Sequence, residues 1–187
     1  MRSIAARLGT AGASLYRIVD SREQVLELMT DRVIGEFDYA GTSPGSGADG
    51  LMRLAVQGRA IYARHPWLLA TASTDPVLGP NAMTYLDRAL GTLADTTLTS
   101  RQRLEAVGIV AGIVRVLALD EAKPGSGRLS PAWQGALTSY LRAGTSPDTH
   151  PHLSQALVAG ERDADRAGDR FEAVVGLVIA ALLRTDQ

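Results

Sequence analysis

The chain has 187 residues, 45% of them hydrophobic, and a formal net charge of −1; it can bury a sizeable core and is no polycation that coats nucleic acid by charge alone. It has no cysteine, which excludes disulfides, thiolate metal sites and cysteine nucleophiles. No export leader opens it, and its longest apolar run, Ala173–Leu183, falls short of the roughly 17–25 residues that cross a bilayer, so a cytoplasmic protein without a membrane span is expected.

Helical periodicity predominates and β-branched alternation is scarce, which predicts an all-α fold. Helices are predicted near residues 2–8, 13–19, 22–38, 49–64, 67–74, 80–95, 100–122, 131–142, 151–159 and 167–185. Ser21 with Gln24, and Thr99 with Gln102, have the spacing of capping boxes. Gly79-Pro80 and Ser130-Pro131 place proline at a first helical position, where its missing N–H costs nothing. Gly41–Gly50, Lys123–Pro131 and Ala143–Pro151 are rich in turn-forming residues and are expected to be loops. Two parts are therefore expected: a head and connecting helix over 1–40, and a helical body over 48–187.

The head has the pattern of a helix-turn-helix. Ile4, Ala5 and Leu8 share one helical face, Gly9 suits the left-handed turn that ends a helix, and Leu15 and Val19 continue the apolar face on a second helix. Tyr16 and Arg17 then point away from that face. The first 22 residues hold Arg2, Arg7, Arg17 and Arg22 against Asp20 alone, so this end is locally basic. Arg22 opens the next helix, where its guanidinium and the free N–H groups of the first turn suit a phosphate. Spacing alone also fits an ordinary helical corner.

The segment MRSIAARLGTAGASLYRIVDSREQVLELM resembles the DNA-binding part of the tetracycline-repressor (TetR) family of bacterial regulators. The resemblance rests on Leu8-Gly9, Leu15-Tyr16, Ser21 and Arg22 at the family's positions, and the later helices are similar to its ligand and dimer domain. It implies that Tyr16 and Arg22 hold phosphates and that Arg2, Ser3, Ala11, Gly12, Ser14 and Arg17 face the groove. Ile18 and Val19 stand where the family commonly has histidine and phenylalanine, and Arg22 where it usually has lysine. Ala11 and Gly12 offer almost no hydrogen bonding to base edges, so direct readout leans on Arg2, Ser14 or Arg17. The family's first helix has no counterpart, so the head is expected to be truncated: either Met1 is an internal methionine of a longer protein, or the head is frayed and weak.

In the body, Leu104, Val107, Val110, Ile113, Val114 and Leu117 give the helix near 100–122 a broad apolar surface, and Phe171 to Leu183 is apolar nearly all round. Gly108 and Gly112, four apart, let two helices approach closely. A homodimer is expected through Gly108, Gly112, Phe171, Val175, Val178 and Leu182, the same two segments that the resemblance implies. Tyr62, Trp67, Leu68, Met83, Tyr85, Leu86, Ile113, Trp133 and Tyr140 are taken together as the lining of an effector pocket, on the resemblance and on the habit of aromatic residues to line pockets; singly, each suits a core position.

Nothing in the sequence makes a catalytic constellation. His150 and His152 lie close, with no cysteine or fixed carboxylate spacing to support a metal. Ser73-Thr74-Asp75 with His65 forms no triad, and the glycine-rich stretches lack the lysine of a phosphate-binding loop. No cofactor and no metal are expected. Eighteen arginines against the single Lys123 hint at a GC-rich bacterial genome. The expected protein is an all-α, homodimeric, one-component transcriptional regulator, a repressor released from double-stranded operator DNA by a small molecule. The alternative is a helical ligand-binding or dimerisation protein without a competent DNA head; a small helical enzyme is the third class, with no residues to carry it.

Overall fold

In the computed structural model, residues 2–7, 9, 11–71, 79–122, 139–141, 143–144, 148–155 and 170–184 are described. Among them no strand occurs, and the elements are α1 (Arg2–Arg7), α2 (Gly12–Leu15), α3 (Arg22–Ile34), α4 (Gly47–Arg64), α5 (Trp67–Thr71), α6 (Pro80–Thr92), α7 (Ser100–Ala122) and α8 (Arg170–Leu183). Residues 139–141 and 151–155 are also helical, within two of the predicted helices.

Three of the predicted helix starts are built by local chemistry. Ser21 Oγ accepts from Gln24 N–H at 3.0 Å, and the Gln24 side chain accepts from Asp20 N–H at 2.6 Å, one residue earlier than a strict capping box. Thr99 and Gln102 close the reciprocal box at 3.3 and 2.8 Å. Pro80 sits in the first turn of α6 after Gly79. The Ser130-Pro131 start lies outside the described residues.

The body is held by α4, α6, α7 and α8. Leu51, Leu54, Ala55, Gly58 and Ile61 form the buried stripe of α4, spaced three and four apart as one helical face requires. It meets Val107, Val110, Val114 and Ala118 of α7 and Phe171, Val175 and Ile179 of α8, while Ala89 and Leu93 close the core from α6 and its end. Each leucine, isoleucine, valine or phenylalanine among them, fully removed from water, contributes roughly 1.5–3 kcal/mol. A smaller cluster of Val33, Ile61 and Leu68 ties α3 and α5 to α4. The head has its own cluster, in which Ala5 and Val19 are the buried residues described, with Ile4 and Val25 alongside.

Helix α6 ends at Thr92 instead of 95 and α4 starts at Gly47 instead of 49, and two boundaries differ more. The connecting helix stops at Ile34 instead of running to 38, with Gly35 as its C-cap. The second helix of the head covers Gly12–Leu15 only, and residues 16–18 are a turn. Four residues are too few to repay helix nucleation, and the turn carries Val19 inward onto Ala5.

Candidate nucleic-acid interface and aromatic cluster

Gly9 adopts φ +64°, and its N–H bonds the Ala6 carbonyl at 3.2 Å, so α1 ends on the left-handed residue that glycine alone takes without strain. Val19 is 5% exposed, and the residues before it are turned outward: Tyr16 is 53% and Ile18 79% exposed. Ser3, Ala11, Arg17 and Arg22 are exposed as well, and Ser14 is half-buried. Arg2 and Gly12 lie in α1 and α2, and their exposure is outside what is described. Arg7, not among the expected contacts, is exposed at the end of α1. The short head thus presents Tyr16, Arg17 and Arg22 to solvent beside a helix start, an arrangement that suits phosphate contact.

Behind α3, aromatic side chains gather against the core. Phe37 and Tyr85 lie with ring centroids 4.6 Å apart at 44°, and Tyr39 and Tyr62 pack against the same cluster. Burial pushes the Tyr85 phenol up to about 12, with the neighbouring Tyr62 and Tyr39 adding to the effect. Burial also raises Tyr62 and Tyr39, opposed by Arg115 and Arg88 respectively. The Arg88 guanidinium stands 5.9 Å from the Tyr39 ring centroid. All three phenols therefore stay neutral donors at physiological pH, and among the described residues their hydroxyls bond no protein group.

Of the residues expected in a pocket, the fold brings Tyr62, Tyr85, Leu86 and Ile113 to this cluster, with Trp67 in the adjoining one. Leu68, 8% exposed, is spent on packing between α3, α4 and α5. Met83 is 60% exposed, because it lies two residues, and so about 200°, from the inward Tyr85. Tyr140 is 76% exposed, so it lines no enclosed space among the described residues, and Trp133 lies outside them. Phe37 and Tyr39 went unforeseen: the helix expected over 22–38 ends at Ile34, and the irregular segment after it turns both rings towards the core.

The expected contacts between copies divide in two. Phe171 and Val175 are 2% and 1% exposed within one chain, so they belong to its own core and cannot supply contact area to a second copy. Val178 and Leu182 are half-buried on the flank of the same stripe. The outer stripes remain open. On α7, Ile109, Val116 and Leu119 are 45%, 62% and 42% exposed, and a Cβ at Gly108 or Gly112 would meet nothing within 4 Å. On α8, Leu177 is 71% exposed among small neighbours.

Among the described residues no group of three or more metal-ligating side chains occurs, and no helix is long and apolar enough to cross a membrane. Residues 42–185 match the family model described as tetracyclin repressor-like, C-terminal domain. The chain belongs to the TetR family of transcriptional regulators. DrrR1 of Streptomyces coeruleorubidus, an HTH-type transcriptional repressor, is 36% identical over 119 residues, 61% of this chain and 43% of the relative. An HTH-type transcriptional regulator of Saccharopolyspora erythraea is 36% identical over 94 residues, 50% of this chain and 40% of the relative. These matches span less than half the length of either curated relative. The TetR family protein ActR of Streptomyces coelicolor, solved in complex with actinorhodin, superposes with a TM-score of 0.79 at 27% identity, over 98% of this chain and 86% of ActR. The TetR architecture thus includes the short head as well as the body.

Proposed function

We propose that this TetR-family chain is a cytoplasmic, ligand-responsive repressor that binds operator DNA as a homodimer and is released by a small molecule. Residues 1–40 read DNA, and 48–187 hold the effector and the second copy. The observation that carries this reading is the separation of two chemistries within one chain. Tyr16, Arg17 and Arg22 are exposed at one end, and half-buried neutral phenols, without a hydrogen-bond partner among the described residues, pack on the core at the other. Two-fold pairing through the open stripes of α7 and α8 would present two heads to successive major grooves. Closely packed aromatic rings with phenolic donors suit a planar aromatic effector bearing oxygen acceptors, a class supported by the actinorhodin complex of ActR. The chemistry of such a protein is binding; the family's work is regulation and not catalysis.

The test is gel retardation of the DNA upstream of the protein's own coding region, with actinorhodin as effector probe. Specific retardation that weakens steeply with salt, and is relieved by the probe, is the expected result. Arg17→Ala and Arg22→Ala should each weaken it and flatten the salt dependence. Actinorhodin binding with no retardation at any salt would favour a ligand-binding protein without a competent head. That second reading draws on the head's core, in which Ala5 and Val19 are the fully buried residues described.

A further inference from the structure

The last turn of α3 meets the first turn of α6 through one carboxylate. Asp31 is 7% exposed. Its Oδ1 accepts from the Ala82 N–H at 2.9 Å, and its Oδ2 from the Asn81 side-chain amide at 2.9 Å and the Asn81 N–H at 3.4 Å. Helix α6 has no cap of its own: Gly79 has no side chain to offer, and Pro80 has no N–H. The orphan donors of α6 are satisfied from a helix some fifty residues earlier in the chain. A carboxylate at a helix N-terminus is further favoured by the aligned peptide dipoles, more so out of water.

The space around this contact is closed. A Cβ on Gly79 would fall within the Asp31 carboxylate, and one on Gly35 would stand 2.9 Å from Asn81 Oδ1. Bare backbone on both sides lets the helices approach until the carboxylate bridges them. A hydrogen bond of 2.9 Å weakens steeply once stretched beyond about 3.5 Å, so a small shift of α6 must either carry α3 with it or break the contact. Both ends of the linkage are functional by position. Tyr85 lies one turn along α6 from Asn81, in the aromatic cluster. At the far end of α3, Val25 packs on Val19 and Ala5 of the head. Helix α3 has 13 residues, a lever of about 20 Å.

We infer that Asp31 is the joint between body and head: a positioning residue that clamps α3 to the start of α6, so that a displacement of α6 at the aromatic cluster is delivered to the DNA-reading turn. This rests on the regulator reading above, but the joint itself can be tested without DNA or effector. Amide hydrogen exchange is compared in the full chain carrying Asp31→Ala, Asp31→Asn and Gly79→Ala. The first removes the acceptor, and the third expels it from its seat with the charge intact. Expected is a loss of protection of about tenfold in residues 80–86, in 22–34 and in the head over 2–19, with 100–122 and 170–183 unchanged.

Loss confined to 80–86 in both Asp31→Ala and Gly79→Ala would reduce Asp31 to a cap for α6 and overturn the joint. Should Asp31→Ala also loosen 100–122, Asp31→Asn is decisive. It keeps one carbonyl acceptor for Ala82, and the joint requires head protection to fall while the body's is retained. Retardation of the upstream DNA by the same variants separates the two readings. Altered head exchange without any retardation leaves the joint standing and removes the operator.

Discussion

Helices α1 and α2 close over Ala5 and Val19, with Ile4 and Val25 beside them, whereas the body encloses aliphatic and aromatic side chains from α4, α6, α7 and α8. Both regions obey the same helical periodicity, yet they differ in how much apolar surface each can hide. Among the described residues the head buries Ala5 and Val19, which contribute less towards offsetting the entropy of ordering a chain than the body's stripes do. The body has several stripes that interlock. Among the described residues the head's buried apolar surface is the smaller, so local opening is expected to cost less there. This contrast also suits a DNA-reading element that is positioned by what it leans on, which makes α3 and its contact with α6 more consequential than the head's own packing.

The largest expected effect tests the body. Leu51, 2% exposed, should cost about 2–5 kcal/mol as Leu51→Ala, read as a cooperative fall in denaturation midpoint by circular dichroism. A fall that spares α7 and α8 in hydrogen exchange would mean that the body is not one unit.

Alkaline titration probes the same core from another side. Tyr85 stands at about 12 in the folded chain and near 10 when unfolded, so its contribution is fully present below about pH 10. As pH rises from 10 towards 12, the unfolded chain gives up the proton first and that stability is lost, by at most about 2–3 kcal/mol. Urea midpoints across this range should fall less in Tyr85→Phe than in the wild type; equal losses would mean that packing against the core does not raise the Tyr85 phenol.

In the head, Val19→Ala should cost about 1–2 kcal/mol, felt locally. Protection of residues 2–19 should drop while the body's denaturation midpoint stays. A matching drop in the body would show that head and body unfold together, and the contrast between them would vanish.

The smallest effect concerns Ser46, whose Oγ is buried without a partner among the described residues and makes no cap bond to α4. Ser46→Ala should be neutral or stabilise by up to about 1 kcal/mol in thermal melts. Destabilisation would mean that the hydroxyl is satisfied after all.

Helix starts were legible because their causes are local. Ser21 with Gln24, Thr99 with Gln102, and Gly79-Pro80 act over one turn of chain, and each is found in place. The outward direction of Tyr16 and Arg17 was legible too, since Val19 had to go in, although the helix expected over 13–19 gives way to a turn at 16–18. Less could be read of the interior. Asp31 looks like any acid on an amphipathic helix, and its role depends on Asn81 and Ala82. Phe37 and Tyr39 turn inward because α3 ends at Ile34, short of the expected residue 38.

What the amino-acid order settled unaided was the helical class, most of the helix starts and the polarity of the head, because caps, proline and apolar spacing act between near neighbours. Which stripe of an all-apolar helix serves its own chain was left to the tertiary structure. Phe171 and Val175 turn inward and Leu177 outward although all are hydrophobic, because inward and outward acquire meaning only once α4 and α7 have met. Packing sums contacts over the whole chain, and no local window contains them.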